Sequence, residues 1–341
     1  MRAKADLCDP DVATRRWAVT GGAGFIGSHV VELLTRAGGQ VTVIDNLSVG
    51  SLENVEQALQ AGRAEFVQAD VRDASALGAA LRGADVVVHM AVKCLRISLS
   101  DPMSVHDVNA TGTLQALRAA LACGVRRFLY CSSSEVYGTA EHADEPMSEE
   151  HPLDPVTPYG ASKAAGELYA RSFQRTHGLP VTTVRPFNAY GPRAHAAGAY
   201  GEVIPRFVAR VLAGLPPVIF GDGMQTRDFT YVEDTARGIV AAALSDAAAG
   251  QAINIARGRD VSIVTVARSV ANAGGRPDLE PVHEPSRPGD VRRHRAGIDR
   301  AERLLGYRAS IDLEEGLSRY MAWVRARGVQ VAAAEAGRRN W

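Results

Sequence analysis

Tyr159 and Lys163 stand four residues apart in Pro158-Tyr-Gly-Ala-Ser-Lys163, a spacing that puts both side chains on one face of a helix. An ammonium beside a phenol favours the phenolate, so such a pair can take a proton from an alcohol well below the phenol's ordinary pKa of about 10. The choice of lysine is informative. Only three of the 38 basic residues are lysines, at positions 4, 93 and 163, and the rest are arginines. Arginine, with its rigid fork and very high pKa, suits a different geometry and proton inventory. A second chemical signal lies near the N-terminus, where Thr20-Gly-Gly-Ala-Gly-Phe-Ile-Gly27 sets out Gly21, Gly24 and Gly27. Glycines in this array permit a tight turn that lets a pyrophosphate approach the backbone at a helix N-terminus. The following strand ends in Asp45, a carboxylate that can accept hydrogen bonds from an adenosine ribose and would repel a 2'-phosphate, which favours NAD over NADP. Asp70 and Val71, after a third strand, either meet the adenine edge or form a plain turn.

The elements that must hold these residues alternate along the N-terminal half. Short β-branched runs at 17–20, 41–45, 66–69, 86–89, 128–131 and 181–185 are separated by helical patterns, among them 25–36, 105–123 and 159–176. This rhythm means parallel strands with helical crossovers. The expected fold class is α/β, a Rossmann-type doubly wound parallel sheet with a smaller C-terminal α/β substrate lobe. Residues 17–190 form the NAD-binding domain and carry the catalytic residues. After about residue 190, Pro/Gly-rich segments such as Pro216-Pro217 and Gly221-Asp222-Gly223 break the rhythm, so 191–330 is expected to form the substrate lobe, interleaved with the first. Residues 1–16 read as a loose extension and 331–341 as a disordered tail.

Composition excludes several classes. The 38 basic residues equal the 38 acidic ones, so no summed field points to nucleic acid or an anionic membrane. No stretch approaches the roughly 18 apolar residues of a membrane span, and residues 1–16 have no leader pattern. Cys8, Cys94, Cys123 and Cys131 lack metal-ligand or disulfide-framework spacing, so no metal is expected and a reducing, cytoplasmic setting is implied.

Seven ordered motifs carry a resemblance that covers residues 17 to about 325: TGGAGFIGSHV, DNLSVGSLENV, Ser132-Ser-Ser-Glu-Val-Tyr-Gly138, YGASK, Arg185-Pro-Phe-Asn-Ala-Tyr-Gly-Pro-Arg193, GDGMQTRDFTYVED and RPGDVRR. Together they resemble the extended short-chain dehydrogenase/reductases, NAD-dependent enzymes that act on nucleotide sugars. The resemblance implies that Ser133 hydrogen-bonds the reacting sugar hydroxyl, that Tyr159 is the base, and that Lys163 holds both the tyrosine and the nicotinamide ribose. It places Phe25, Ile26, Asn46 and Ala91 along the cofactor. Lys93, Asn109 and Pro186 join them. Asn188 would contact the sugar diphosphate, while Arg227, Arg287 and Asp290, with Arg292 beside them, would hold diphosphate and nucleoside. A homodimer paired through the helices over about 105–123 and 159–176 is the family expectation.

Relatives share oxidation at sugar carbon 4 and differ in the later steps. A 4-epimerase needs no further acid or base, whereas a 4,6-dehydratase needs both. The dTDP-glucose dehydratases supply an Asp-Glu pair after the catalytic threonine, and here Ser134-Glu135 provides the base without that acid. The same pair resembles GDP-mannose dehydratases and UDP-glucuronate decarboxylases, so dehydration and decarboxylation stay open as alternatives using Glu135. Lys93 and Arg96 should pass beside the sugar. Arg96, followed by Ile97-Ser98, and Arg193 resemble the arginines of UDP-glucuronate 4-epimerases, and a uronate carboxylate would give these charges a partner. Lys93 would otherwise contact the cofactor alone, and Arg96 would face water or Asp101. The sequence thus leans to a UDP-sugar 4-epimerase interconverting UDP-glucuronate and UDP-galacturonate, with UDP-glucose/UDP-galactose next.

Overall fold

The computed structural model describes residues 10–139, 145–196, 198–286 and 291–327. In chain order, after a short helix at Pro10–Ala13, the main units begin with β1 (Arg16–Thr20), α1 (Phe25–Arg36), β2 (Gln40–Asp45), β3 (Ala64–Gln68), α2 (Ala74–Ala80) and β4 (Val86–His89). A helical stretch then runs from Pro102–His106 through a π-helical segment, Asp107–Thr111, into α3 (Gly112–Ala122). There follow β5 (Arg127–Cys131), α4 (Pro158–His177), β6 (Val181–Pro186), β7 (Asn188–Tyr190), α5 (Val203–Leu212), β8 (Val218–Phe220), β9 (Thr226–Tyr231) and α6 (Val232–Leu244). The last described elements are β10 (Ala252–Ile255), β11 (Asp260–Ser262), α7 (Ile263–Ala273), β12 (Val282–Glu284) and, after a short helix at Asp299–Leu305, α8 (Leu313–Ala326).

Among the described residues the main sheet has seven parallel strands in the order β10-β6-β5-β4-β1-β2-β3. Strands β4 and β6 are buried along their whole length, as a parallel sheet covered on both faces requires. Val19, Val43 and Val88 face the layer that holds α1 and α6, while Ala18, Val87 and Phe128 face the layer of α2, α3 and α4. The order reverses between β1 and β4, which opens a crevice at the carboxyl ends of the strands. The second lobe has a three-stranded sheet, β11-β9-β7, and a β12-β8 pair, packed on α5, α7 and α8 through Ile204, Phe207, Val266 and Leu317. Strand β10 and helix α6 come from the C-terminal half yet lie in the layers of the main sheet.

Three local features set the observed elements beside the sequence expectation. Val12, expected in a loose extension, is 3% exposed and its carbonyl accepts a hydrogen bond from Trp17 Nε1. The helix expected from 105 begins at Pro102, because Asp101 caps it by accepting from the Ser104 N–H and proline is favoured in the first turn. Within that helix a π-helical segment holds Asn109, and such bulges commonly serve a site. Helix α4 matches its expectation: Thr157 caps it, Pro158 opens it, and Gly178 closes it at a left-handed φ of 69°. The segments 1–9 and 331–341 lie outside the described residues.

Candidate active site

The carboxyl ends of β1, β2, β4, β5 and β6 border a cleft of about 2350 Å³ that continues into the second lobe. Its floor at β1 is the glycine turn. A Cβ on Gly27 would lie 2.1 Å from the Gly21 carbonyl oxygen, and one on Gly21, whose φ is 68°, would lie 2.7 Å from the Ala91 nitrogen. The turn is therefore a backbone cradle that side chains would fill, the feature a dinucleotide pyrophosphate needs. Asp45 closes this end, accepting from the N–H groups of Ala23 at 3.1 Å and Leu47 at 2.9 Å. Burial pushes its carboxyl up and those backbone bonds pull it back. Asn46 donates to Asp70 at 2.9 Å, and Arg72 grips Asp70 with two hydrogen bonds at 2.8 Å. The Arg72 hydrogen bonds hold the Asp70 carboxyl well below the usual range. Phe25, Ile26, Val71 and Pro186 line the same cleft. These residues fit NAD.

Helix α4 and the turn after β5 build the chemical end. The Tyr159 phenol lies beside the Ser133 side chain; burial pushes the phenol above its usual range, the Ser133 hydroxyl lowers it, and the charge of Glu135 raises it. Lys163, 2% exposed, donates to the Cys131 carbonyl at 2.6 Å, with its Nζ 4.6 Å from the centre of the Tyr130 ring. Burial lowers its pKa to about 8. The turn after β5 is tightened by Ser133 Oγ, which accepts from the Glu135 N–H at 3.2 Å. Gly160 is required opposite it, since a Cβ there would come within 2.5 Å of the Glu135 carbonyl oxygen. The arrangement can move a proton to and from a hydroxyl brought against Ser133 and Tyr159.

Asn109 sits beneath this site. Its side chain accepts from the Lys93 N–H at 2.8 Å and donates to the Lys93 carbonyl and Ser162 Oγ, both at 3.0 Å. Ser162 in turn donates to the Tyr159 carbonyl at 2.7 Å. Asn109 thus ties the segment after β4 to α4 and, fully buried, does not line the cleft where the sequence reading placed it along the cofactor. Lys93 lines the cleft, donating to Ser104 at 2.7 Å with Asp101 at 4.0 Å.

Two arginines depart from the sequence expectation. Arg193, expected at the sugar, adopts a left-handed φ of 67° and bonds Glu32 at 2.7 Å and Ser28 at 3.3 Å on α1. It braces the second lobe's entry strap against α1, where His29 also meets the Pro192 carbonyl at 3.0 Å. Arg292 pairs with Asp222 at 2.8 Å on the surface, 65% exposed. Arg227 does line the cleft, held by the carbonyls of Thr226 and Val291. Asn188 lines it too, with Oδ1 buried and unpartnered. Arg287 and Asp290 lie outside the described residues.

Arg96 reaches from the helical turn Leu95–Ser98 to donate to the Gly201 carbonyl. This brings it to Glu202, which sequence reasoning missed. Burial pushes the Glu202 carboxyl up to about 7, with the Arg96 charge pulling it down, while burial lowers the Arg96 pKa. No spacing in Gly201-Glu-Val-Ile-Pro205 marks this carboxyl; only folding sets the first turn of α5 opposite the loop after β4. Ser134, 3% exposed, and Glu135 complete the cleft wall on the β5 side. Among the described residues no group of three or more His, Cys, Asp or Glu side chains is placed to hold a metal. Among them, too, no helix is long and apolar enough to cross a membrane.

Comparison with known proteins agrees with this geometry. Residues 17–256 match the family described as NAD dependent epimerase/dehydratase. A UDP-glucose 4-epimerase of Mycolicibacterium smegmatis is 37% identical over 91% of this chain and 98% of the relative. A dTDP-glucose 4,6-dehydratase of an Actinoplanes species is 35% identical over 90% and 97%. Among solved structures, the UDP-glucose 4-epimerase of Thermotoga maritima with UDP-glucose superposes with a TM-score of 0.86, at 34% identity over 92% of this chain and 99% of that one. With a glycine cradle and an Asp45-closed crevice that fit NAD, and with these matches to enzymes of nucleotide sugars, the chain belongs to the NAD-dependent epimerase/dehydratase family.

Proposed function

We propose that the protein is a 4-epimerase of a neutral UDP-hexose, interconverting UDP-glucose and UDP-galactose through a 4-keto sugar. Bound NAD supplies the acceptor and donor of hydride at sugar carbon 4. Tyr159 takes the proton of the 4-hydroxyl that Ser133 orients, and returns it after the keto sugar has turned over. Lys163, at i+4, supplies positive charge that favours the tyrosinate. Arg227 and Asn188 are the residues we assign to the diphosphate end.

The observation that carries the reaction type is Ser134. It occupies the place where the dehydratases have their acid, and its hydroxyl cannot protonate a departing 6-hydroxyl as a carboxylic acid does. The neutral sugar is favoured because the cations expected to meet a uronate are engaged already: Arg193 by Glu32, Lys93 by Asp101 and Arg96 by the Gly201 carbonyl. Arg96 still lines the cleft, which supports UDP-glucuronate as a second substrate reading. Glu135, close enough to Tyr159 for its charge to be felt, likewise supports a dehydratase or decarboxylase as the second reaction reading.

We assign a homodimer paired through α3 and α4, supported by the exposed apolar side chains Leu121, Leu168 and Tyr169 on these adjacent helices. The thiols of Cys94, Cys123 and Cys131, none of them in a disulfide, suit a reducing, cytoplasmic setting. The deciding experiment incubates the NAD-loaded protein with UDP-glucose and UDP-glucuronate and follows products by chromatography and mass. An isomer of unchanged mass is expected from UDP-glucose and none from the Tyr159→Phe variant. Loss of water or carbon dioxide, or full activity without the tyrosine hydroxyl, would overturn the proposal.

A further inference from the structure

We infer that Arg193 is a positioning residue for the sugar: it fastens the strap 192–196, part of the cleft wall, to the helix that carries the cofactor cradle, and so fixes how far apart sugar and cofactor are held. This deepens the 4-epimerase reading and rests on it. Ala194, His195 and Ala196, the three residues after Arg193, border the cleft, as do Phe25, Ile26 and Gly27 at the N-terminus of α1. Arg193 itself is not among the bordering residues, and its guanidinium turns to α1. The contacts that join strap to helix therefore set the spacing between two stretches of one cleft wall.

Three side chains of α1 make the join. Arg193 pairs with Glu32 at 2.7 Å and donates to Ser28 Oγ at 3.3 Å. His29 Nε2 meets the carbonyl of Pro192, the preceding strap residue, at 3.0 Å. Ser28, His29 and Glu32 lie within about one turn and share one face of the helix. Ser28 also belongs to the hydrogen bonding of the cradle: its N–H donates to the Gly24 carbonyl and its hydroxyl to the Phe25 carbonyl, both at 3.0 Å. Arg193 and Glu32 are 16% and 24% exposed, which leaves their pairing less screened than that of open surface charges. At its other end the strap meets the second lobe, where the His195 carbonyl accepts from the N–H of Glu202, the residue before α5, at 2.9 Å.

The backbone gives a second, independent sign. Among the described residues Leu47 and Arg193 are the non-glycines with a left-handed φ, 56° and 67°. Leu47 stands at the cofactor end, its N–H held by the Asp45 carboxylate at 2.9 Å. Glycine would adopt the Arg193 conformation without strain, so a strained residue there reports a requirement for its side chain, and the contacts to α1 are what hold it in place. Arginine supplies a fork that reaches Ser28 and Glu32 together. Hydride transfer tolerates little misplacement of the reacting carbons, since a shift of about 1 Å costs on the order of a hundredfold in rate.

The test compares the NAD-loaded wild type with Arg193→Met, Arg193→Gly and Arg193→Lys. Each is measured for turnover of UDP-glucose, for bound NAD, and for hydrogen exchange of the amides of residues 194–196. Arg193→Met and Arg193→Gly should each lower kcat at least about tenfold and speed strap exchange at least about tenfold, with bound NAD unchanged. Arg193→Lys keeps a charge for Glu32 and should recover part of both losses. Full turnover by Arg193→Gly, strap exchange that does not change, or a lysine variant no better than the methionine one would each overturn the inference. So would NAD lost in step with activity, which would show that Arg193 only supports the cofactor fold. Should the wild type leave UDP-glucose unchanged while strap exchange responds as stated, the 4-epimerase reading falls and the fastening of the strap by Arg193 stands.

Discussion

Arg185 is a deeply buried cation of the main sheet, and replacing it with methionine gives a prediction whose size can be worked from its contacts. It sits on β6 and meets Glu167 on α4 with both members 2% exposed, through bonds of 2.6 and 2.9 Å. It also donates to the Tyr137 hydroxyl at 2.8 Å and the Glu149 carbonyl at 3.3 Å. Arg185→Met removes the cation and strands the Glu167 carboxylate. Breaking a buried pair from one side costs about 3–5 kcal/mol, and the lost Tyr137 bond adds about 1 kcal/mol. Against a typical total of about 5–15 kcal/mol, this is a large fraction of the stability. Urea unfolding of the NAD-loaded protein at neutral pH measures it. The companion Glu167→Leu/Arg185→Met variant removes both charges and should be more stable than Arg185→Met alone, since well-packed apolar replacement of both partners is far less costly. Because Glu167 lies one helical turn beyond Lys163, the stranded charge should also raise the Lys163 pKa from about 8. A loss below about 1 kcal/mol, or a double variant worse than the single one, would contradict this account of the pair.

Two further outcomes come from packing beside the site. A Cβ on Gly166 would lie 2.2 Å from the Tyr130 hydroxyl oxygen, and Tyr130 underlies Lys163. Gly166→Ala should therefore cost about 1–3 kcal/mol in thermal or urea unfolding and depress kcat more than KM; unchanged values of both would show that the tyrosine yields freely. His89, buried between the hydroxyls of Thr20 at 2.7 Å and Thr113 at 3.1 Å, has its pKa lowered by burial to about 3. Its neutral form is the folded one, so the stability it confers is present above the unfolded value of about 6.5 and is lost as pH falls toward the folded value. The stability gap between wild type and His89→Asn should narrow by roughly 2–3 kcal/mol from pH 7 to pH 4.5, and a constant gap would show that the ring titrates alike in both states.

Much of the site was legible because its signals are local. The spacing of Gly21, Gly24 and Gly27 after one apolar strand, the Asp45 that ends the next, and the i, i+4 step from Tyr159 to Lys163 are set by backbone geometry within one or two elements. Helix α4 was read almost to the residue because Pro158 and Gly178 punctuate it. The second lobe was less legible: its strands β7, β8, β11 and β12 have three residues each, too few for alternation to register above the surrounding loops.

The α/β cofactor fold, and the grouping of Ser133, Tyr159 and Lys163 at one end of its crevice, could be read from the chain because each part depends on local signals in the sequence. The destination of the charges could not. Arg193 and Arg96 looked alike as arginines bound for the sugar, and folding turned one to Glu32 on α1 and set the other beside Glu202 in the cleft. Their partners lie more than a hundred residues away, and a charge's partner is fixed by distance in space, which no spacing along the chain encodes.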